Sequence, residues 1–328
     1  MNKHLVLALA SLVFLVTACE KSTDTPIPGD IDFRQEMRQL VQSISAYGHF
    51  LDDDFLVIPQ NGEDIITIDG EPEGTLATGY INAIDGIGRE ELFYGYDNHD
   101  NQPTPNKETS YMLPYLNLLQ QSGKIVLITD YTSDTEQRAE ATDECYNRGF
   151  LSFVAPDREL SVIPDSAFWP TASGKVITRL SQAENFLYLI NPEKFSSREA
   201  YIQALAATPY DILLIDLYFD DPQAPLTTKE VSQLRLKPDG SSRLLIAYLS
   251  IGEAESYRYY WQAGWNQNPP YWMEAENADW DGNFKIRYWE QDWKDILIGN
   301  KDSYVKKIVD AGFDGVYLDV VDAYEYFE

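Results

Sequence analysis

Cysteine, histidine and positive charge are all scarce in this sequence, and each shortage excludes a class of function. Two cysteines (Cys19, Cys145) and three histidines (His4, His49, His99) among 328 residues give no disulfide framework and no zinc site of the usual spacing. Cys145 sits in the helix-like stretch EATDECYNRGF and reads as a small buried apolar residue, with neither His49 nor His99 in a context that would supply a base for thiol catalysis. A phosphate loop is missing too: Gly86 and Gly88 in DGIGREE lack the third glycine and the helix start of a dinucleotide fingerprint. No metal and no cofactor are expected. Lys and Arg number 25 against 53 Asp and Glu, a formal charge of −28 that repels a phosphate backbone and excludes nucleic acid as a partner. Sugars, amino sugars and cationic polymers remain compatible with such a surface.

What is present is the composition of a folded protein, 44% hydrophobic and 13% aromatic, enough for a large core. One apolar run stands apart. Leu5–Val16 follows Lys3 and His4, ends in LVTAC at Cys19, and is too short to span a membrane as an ordinary helix. It resembles a bacterial lipoprotein signal with its lipobox. That resemblance implies a signal peptide over residues 1–18, lipidation of Cys19, a polar tether over 19–29, and an exported lipoprotein anchored in the cell envelope by its lipid alone.

From Asp30 onward short apolar runs alternate with longer amphipathic stretches. Strands are expected at Phe55–Pro59, Ile81–Ile87, Lys124–Asp130, Phe150–Val154, Phe186–Ile190, Ile212–Leu217, Leu244–Ser250 and Gly315–Asp319. Helices are expected at Phe33–Tyr47, where Phe33, Met37, Leu40, Val41 and Ile44 recur at helical spacing, and at Lys301–Ala311. Nearly continuous apolar strands alternating with helices argue an α/β fold with a parallel sheet covered on both faces, and eight of them argue a single (β/α)8 TIM-type barrel over residues 30–328. A doubly wound open sheet is the alternative.

A barrel carries its chemistry at the C-terminal ends of its strands. Those ends are acidic here: Asn61 and Glu63, Glu90 and Glu91, Asp130 with Tyr131, Asp216, Glu253 and Glu255, then Asp319 and Asp322. Each one alone reads as a solvated carboxylate or a helix cap. Together, with Tyr94, Tyr96, Tyr131, Tyr257, Trp261, Tyr317 and Tyr324 interleaved, they supply what glycoside cleavage needs: an acid, a base or nucleophile, and flat faces for sugar rings.

The segments YLSIGEAESYRYYW (248–261), GFDGVYLDVVDAYEY (312–326), FLVIPQNGE (55–63), IDGIGREELFYG (84–95) and KIVLITDY (124–131) resemble the motifs of the endo-α-1,4-polygalactosaminidase-like proteins, glycoside hydrolase family 114 and its bacterial relatives. Their order differs. In the family the segment like Phe186–Ile190 comes first and IPQNGE and GIGREE come last. Residues 30–154 therefore resemble the family's second half, 185–328 its first half, and 155–184 a new join, so the chain reads as circularly permuted.

The resemblance implies a glycoside hydrolase acting on an amino-sugar polysaccharide, with the carboxylate pair on Asp319 and Glu90. Asp319 would serve as nucleophile or base and Glu90, with Glu91 as its rival, as the acid of raised pKa. Asp216, Glu253, Tyr257, Arg258, Asn61, Glu63, Asp130, Tyr131, Asp322 and Tyr94 are placed around them as binding groups, Arg258 as counter-charge to the acids. Of the aromatic run Trp261, Trp265, Tyr271, Trp272, Trp280, Tyr288, Trp289 and Trp293, about half is expected to pack an insertion and the rest to face sugar. Many relatives have Asn after the matching aspartate where this chain has Val320. That difference motivates the alternative of a carbohydrate-binding lipoprotein without catalysis on the same barrel; in either reading a monomer is expected.

Overall fold

The computed structural model describes residues 27–328; the expected signal segment and Cys19 lie outside the described residues. Among the described residues eleven strands and eight α-helices are formed: β1 Leu56–Pro59, β2 Gly86–Glu90, β3 Ile125–Tyr131, β4 Leu151–Ala155, β5 Phe186–Leu189, β6 Ile212–Ile215, β7 Leu244–Ser250, β8 Glu253–Glu255, β9 Met273–Glu276, β10 Asn283–Ile286 and β11 Gly315–Asp319, with α1 Phe33–Leu51, α2 Thr78–Ala83, α3 Asn106–Gln121, α4 Thr135–Arg148, α5 Arg198–Ala206, α6 Thr228–Leu234, α7 Gln291–Leu297 and α8 Tyr304–Ala311. Among these helices none is long and apolar enough to cross a membrane.

The apolar runs become strands because both of their faces are covered. Every residue of β6 and β7 is buried, as a parallel sheet under helices requires. Helix α1 is capped by Asp32, whose carboxylate accepts the Gln35 N–H at 2.9 Å, and turns Met37, Leu40, Val41 and Ile44 inward. Cys145 lies buried on α4, where burial raises its thiol pKa well above the ordinary value.

Two parallel sheets run in the orders β5-β6-β7-β11-β1 and β2-β3-β4. Strand β11, near the end of the chain, thus pairs with β1, near its beginning, in parallel register from Leu56–Gly315 to Pro59–Leu318. The sheets meet at β1 and β2 through a parallel bridge between Gln60 and Gly88, with Asp85 N–H bonded to Val57 O at 2.8 Å and Asn61 N–H to Gly88 O at 2.9 Å. At β4 and β5 no ladder forms among the described residues. The rings of Phe153 and Phe186 fill that seam instead, centroids 5.7 Å apart. The eight parallel strands therefore follow a TIM-barrel-like order, but their hydrogen bonding is not closed into the continuous barrel that the strand count suggests.

Two further differences are physical in origin. Ile81–Ile87 is not one strand: Thr78–Ala83 forms α2, and the strand begins only at Gly86. A small antiparallel sheet, β8-β10-β9, was not expected; it is built after β7 from strands such as EAE and MEAE, only three or four residues long and rich in charge, whose alternation is too brief to stand out. Residues 156–185 hold only two short 3-10 turns, and a fully buried ion pair, Lys237 to Asp211 at 2.7 Å, fixes this segment through the Ser173 hydroxyl. At the other end of the chain, Glu328 pairs with Arg34 at 2.9 Å and Phe327 stacks on Phe33 at 5.4 Å.

Candidate active site

The strand ends converge on a cavity of about 720 Å³. Strand β2 delivers Glu90, β11 delivers Asp319, and β1, which lies between them, is followed at once by Gln60. The Gln60 side-chain nitrogen donates to Glu90 Oε2 and to Asp319 Oδ1, at 2.8 Å in each case. Those two oxygens can be no farther apart than twice that distance, and the divergence of the two amide hydrogens, about 120°, puts them about 5 Å apart. Glu90 also accepts from the Tyr131 hydroxyl and from Asn61 Nδ2 at 3.3 Å. Asp319 accepts the Tyr248 hydroxyl at 2.6 Å and the Val320 N–H at 2.8 Å. Burial, reinforced by the charge of Glu90, pushes the Asp319 carboxyl up to about 7, and the hydroxyl and N–H donors oppose that rise.

Glu91 is drawn away from this pair. Its backbone is left-handed (φ 58°), and its carboxylate meets Arg158 at 2.6 Å. Arg158 also bonds Gly95 O at 2.6 Å and stands 4.3 Å over the Tyr131 ring, so the segment after β4 braces the tyrosine that holds Glu90.

A second acidic group lines the same cavity. Arg258 meets Asp216 at 2.5 Å and Glu255 at 2.6 Å, with all three side chains buried. Burial raises the Asp216 pKa and the guanidinium opposes it. Tyr257 donates to Glu255 at 2.8 Å. Glu253 pairs with Lys285 at 2.7 Å and accepts from Asn277 at 2.8 Å, which ties β8 to the strand and loop of the unexpected sheet. From that sheet's loop Trp280 reaches the cavity, 40% exposed, whereas Trp272, Tyr288 and Trp293 are core residues.

Of the residues singled out from sequence, the cavity gathers Asp319, Glu90, Asn61, Tyr131, Asp216, Glu253, Tyr257, Arg258 and Asp322. Three lie elsewhere. Asp130 is buried and accepts the N–H groups of Phe93 and Tyr94, at 2.7 and 2.9 Å, so its carboxylate orders a loop. Tyr94 turns its hydroxyl to Glu140 on α4, at 2.6 Å. Glu63 faces Arg89 at 3.4 Å in a smaller neighbouring cavity of about 250 Å³. Sequence reasoning passed over Gln60, Tyr188, Tyr248 and Arg158. Gln60 had a signal, since it closes the strand of IPQNGE one position before Asn61. Arg158 had none.

Eleven acidic and four basic side chains line the cavity, and each basic one is already paired: Arg89, Arg158, Arg258 and Lys285 with Glu63, Glu91, Asp216 and Glu253. The uncompensated charge facing the opening is therefore negative. Among the described residues no group of three or more His, Cys, Asp or Glu is placed to hold a metal ion.

Residues 170–328 match the model of glycoside-hydrolase family GH114, so this half of the chain, which carries Asp319, is GH114-like. Glu90 lies outside the matched residues. An uncharacterized protein of Methanocaldococcus jannaschii is 37% identical over 151 residues, 46% of this chain and 41% of that protein. Similar proteins, also uncharacterized, occur in Deinococcus radiodurans (40% identical over 124 residues, 38% of this chain and 37% of the other) and Thermotoga maritima (33% over 123 residues, 38% and 36%). The matches span about two fifths of these relatives' length.

Proposed function

From the GH114-like character of residues 170–328, we propose that this protein is a retaining glycoside hydrolase acting on an amino-sugar polysaccharide, with Glu90 and Asp319 as its carboxylate pair. The observation that carries the reading is the Gln60 amide bonded to both acids at 2.8 Å. The separation this allows fits the about 5–5.5 Å of retaining enzymes and falls short of the about 6.5–9.5 Å that inversion needs to seat a water.

In this mechanism Glu90 gives its proton to the glycosidic oxygen while an Asp319 oxygen attacks the anomeric carbon. The leaving sugar departs as an alcohol and a glycosyl ester forms on Asp319. Water then attacks the same carbon, Glu90 takes its proton, and Asp319 is released as carboxylate. The raised pKa of Asp319 owes part of its size to a charged Glu90. When Glu90 holds the proton that repulsion is gone, and Tyr248, Gln60 and Val320 N–H hold Asp319 as the anion.

The excess of acids at the cavity supports a substrate bearing free amines over uronic or sulfated chains. Trp280 and Tyr257 offer the ring faces. Val320 does not carry the reading of a binding protein without catalysis. Its side chain is not what the site uses, because its backbone N–H serves Asp319. The proposal includes the barrel as a circular permutant, supported by the β1–β11 pairing and by Glu328 lying against Arg34, and anchoring through a lipid on Cys19 in the cell envelope.

The test is to incubate the protein with an α-1,4-linked galactosamine polymer, its fully N-acetylated form and a polyuronate, and to count new reducing ends. Cleavage is expected with the free-amine polymer and not with the polyuronate. Cleavage of none of the three, or of the polyuronate alone, contradicts the reading.

A further inference from the structure

We propose that Gln60 is the positioning residue of this site: its one amide sets the distance between Glu90 and Asp319 and helps decide where their shared proton resides. The placement follows from the strand order. β1 lies between β11, which carries Asp319, and β2, which carries Glu90, and Gln60 stands at its C-terminal end. Its backbone is fixed on both sides, N–H to Leu318 O at 2.8 Å toward β11 and a bridge to Gly88 toward β2. Gly88 has no room for a side chain, since a Cβ there would fall 1.8 Å from the Tyr317 hydroxyl, so the two strands close tightly on Gln60.

The side chain is 2% exposed, and its carbonyl oxygen is buried without a partner. A glutamine serving only the fold would satisfy both ends of its amide. Here the orientation is set by the two carboxylates alone. Because the amide is neutral, it holds both acids without the charge that would pin both as anions.

The ionisable groups around the pair come from every neighbouring strand. Tyr131 of β3 and Tyr248 of β7 donate to it, and Tyr188 of β5 and Tyr317 of β11 stand beside it. Burial pushes all four phenols well above their ordinary values, so they stay neutral. Arg89 of β2, Glu91 directly after it and Asp322 after β11 complete the set. Removing the amide donors therefore acts on the pair itself, whose anions lose two hydrogen bonds, and its protonation midpoint must rise.

The inference rests on the glycosidase reading only in its kinetic arm. Gln60→Met keeps the chain length and removes both donors. Carbodiimide labelling of Asp319 and Glu90 across pH, located by peptide mass spectrometry, is expected to show a midpoint about one pH unit or more higher in the variant. On an α-1,4-linked galactosamine oligomer kcat should fall about a hundredfold with KM changed far less. A midpoint equal to wild type overturns the proposal, whatever happens to activity or melting temperature. If Gln60→Met does not fold, Gln60→Leu, equally neutral and without donors, gives the same reading: a raised midpoint supports positioning by the amide, and an unchanged one refutes it. A raised midpoint in a protein that cleaves no galactosamine chain would leave Gln60 in its role and remove the glycosidase reading instead.

Discussion

Asp216 and Glu255 share a guanidinium in the cavity, whereas Glu90 and Asp319 share a neutral amide. Both pairs are carboxylates held close together, and the ring of Tyr248 joins them, its hydroxyl on Asp319 and its face 5.8 Å from Arg258. The difference lies in what is neutralised. Arg258 supplies a buried counter-charge that ties its two acids together, which suits a wall that shapes the cavity. Gln60 cancels none, so Glu90 and Asp319 repel each other and the pair can hold a proton, which suits chemistry.

The comparison breaks most visibly if the two pairs respond alike to loss of a charge. Asp319→Asn and Glu90→Gln should each lower turnover by about a thousandfold or more while the melting temperature stays level or rises, because the change relieves repulsion. Initial rates and thermal melts on the same preparations check this. Arg258→Ala should do the reverse, leaving Asp216 and Glu255 buried without a counter-charge and destabilising the fold by about 3–5 kcal/mol in denaturant unfolding. An Arg258 variant that is fully stable would erase the distinction.

A pH series sharpens it. The Asp319 carboxyl goes from an ordinary 3.8 to about 7 in the fold, because of burial and then the charge of Glu90. The folded protein then binds more protons than the unfolded chain between those values. Its contribution to stability is fully present below about pH 4 and is lost as pH rises through about 7. Melting temperature should therefore decline over that window, and Asp319→Asn should flatten the decline. Asp322, raised to about 7 by burial and then by Glu325, keeps part of the slope in the variant.

The smallest effect concerns Val320, a β-branched residue at φ 59°, ψ 39°, a left-handed conformation that disfavours such side chains. Asn tolerates that backbone. Val320→Asn should stabilise the fold by about 1 kcal/mol and leave the Val320 N–H bond to Asp319 in place, measured as a higher melting temperature with near-normal turnover. The residue type found here in many relatives thus has a backbone reason as well as a chemical one.

Much of this architecture is legible in sequence because parallel strands buried on both faces announce themselves. ILLI and LLIAYLS can hardly be anything else. Glu90, Asp319 and most of the cavity's acids follow once strand ends are read as the functional edge. The failures are equally instructive. Asp130 ends its strand as the others do, but its carboxylate turns to the Phe93 and Tyr94 N–H groups, a choice made by a loop whose path no periodicity encodes. The strands β8, β9 and β10 are three or four residues long, too short for their alternation to be read, and their sheet is held through Glu253 to Lys285 and Asn277. Gln60 was passed over because glutamine is ordinarily a surface residue, and only the strand order puts it between two acids.

The anomeric form of the first product released from an α-1,4-linked galactosamine oligomer, followed by proton NMR before mutarotation, tests the pair of acids and their separation together. An α product appearing first is the result that the shared Gln60 amide and the close carboxylates require. A β product appearing first would mean that a water stands between the acids, and the account given for Glu90, Asp319 and Gln60 would be wrong.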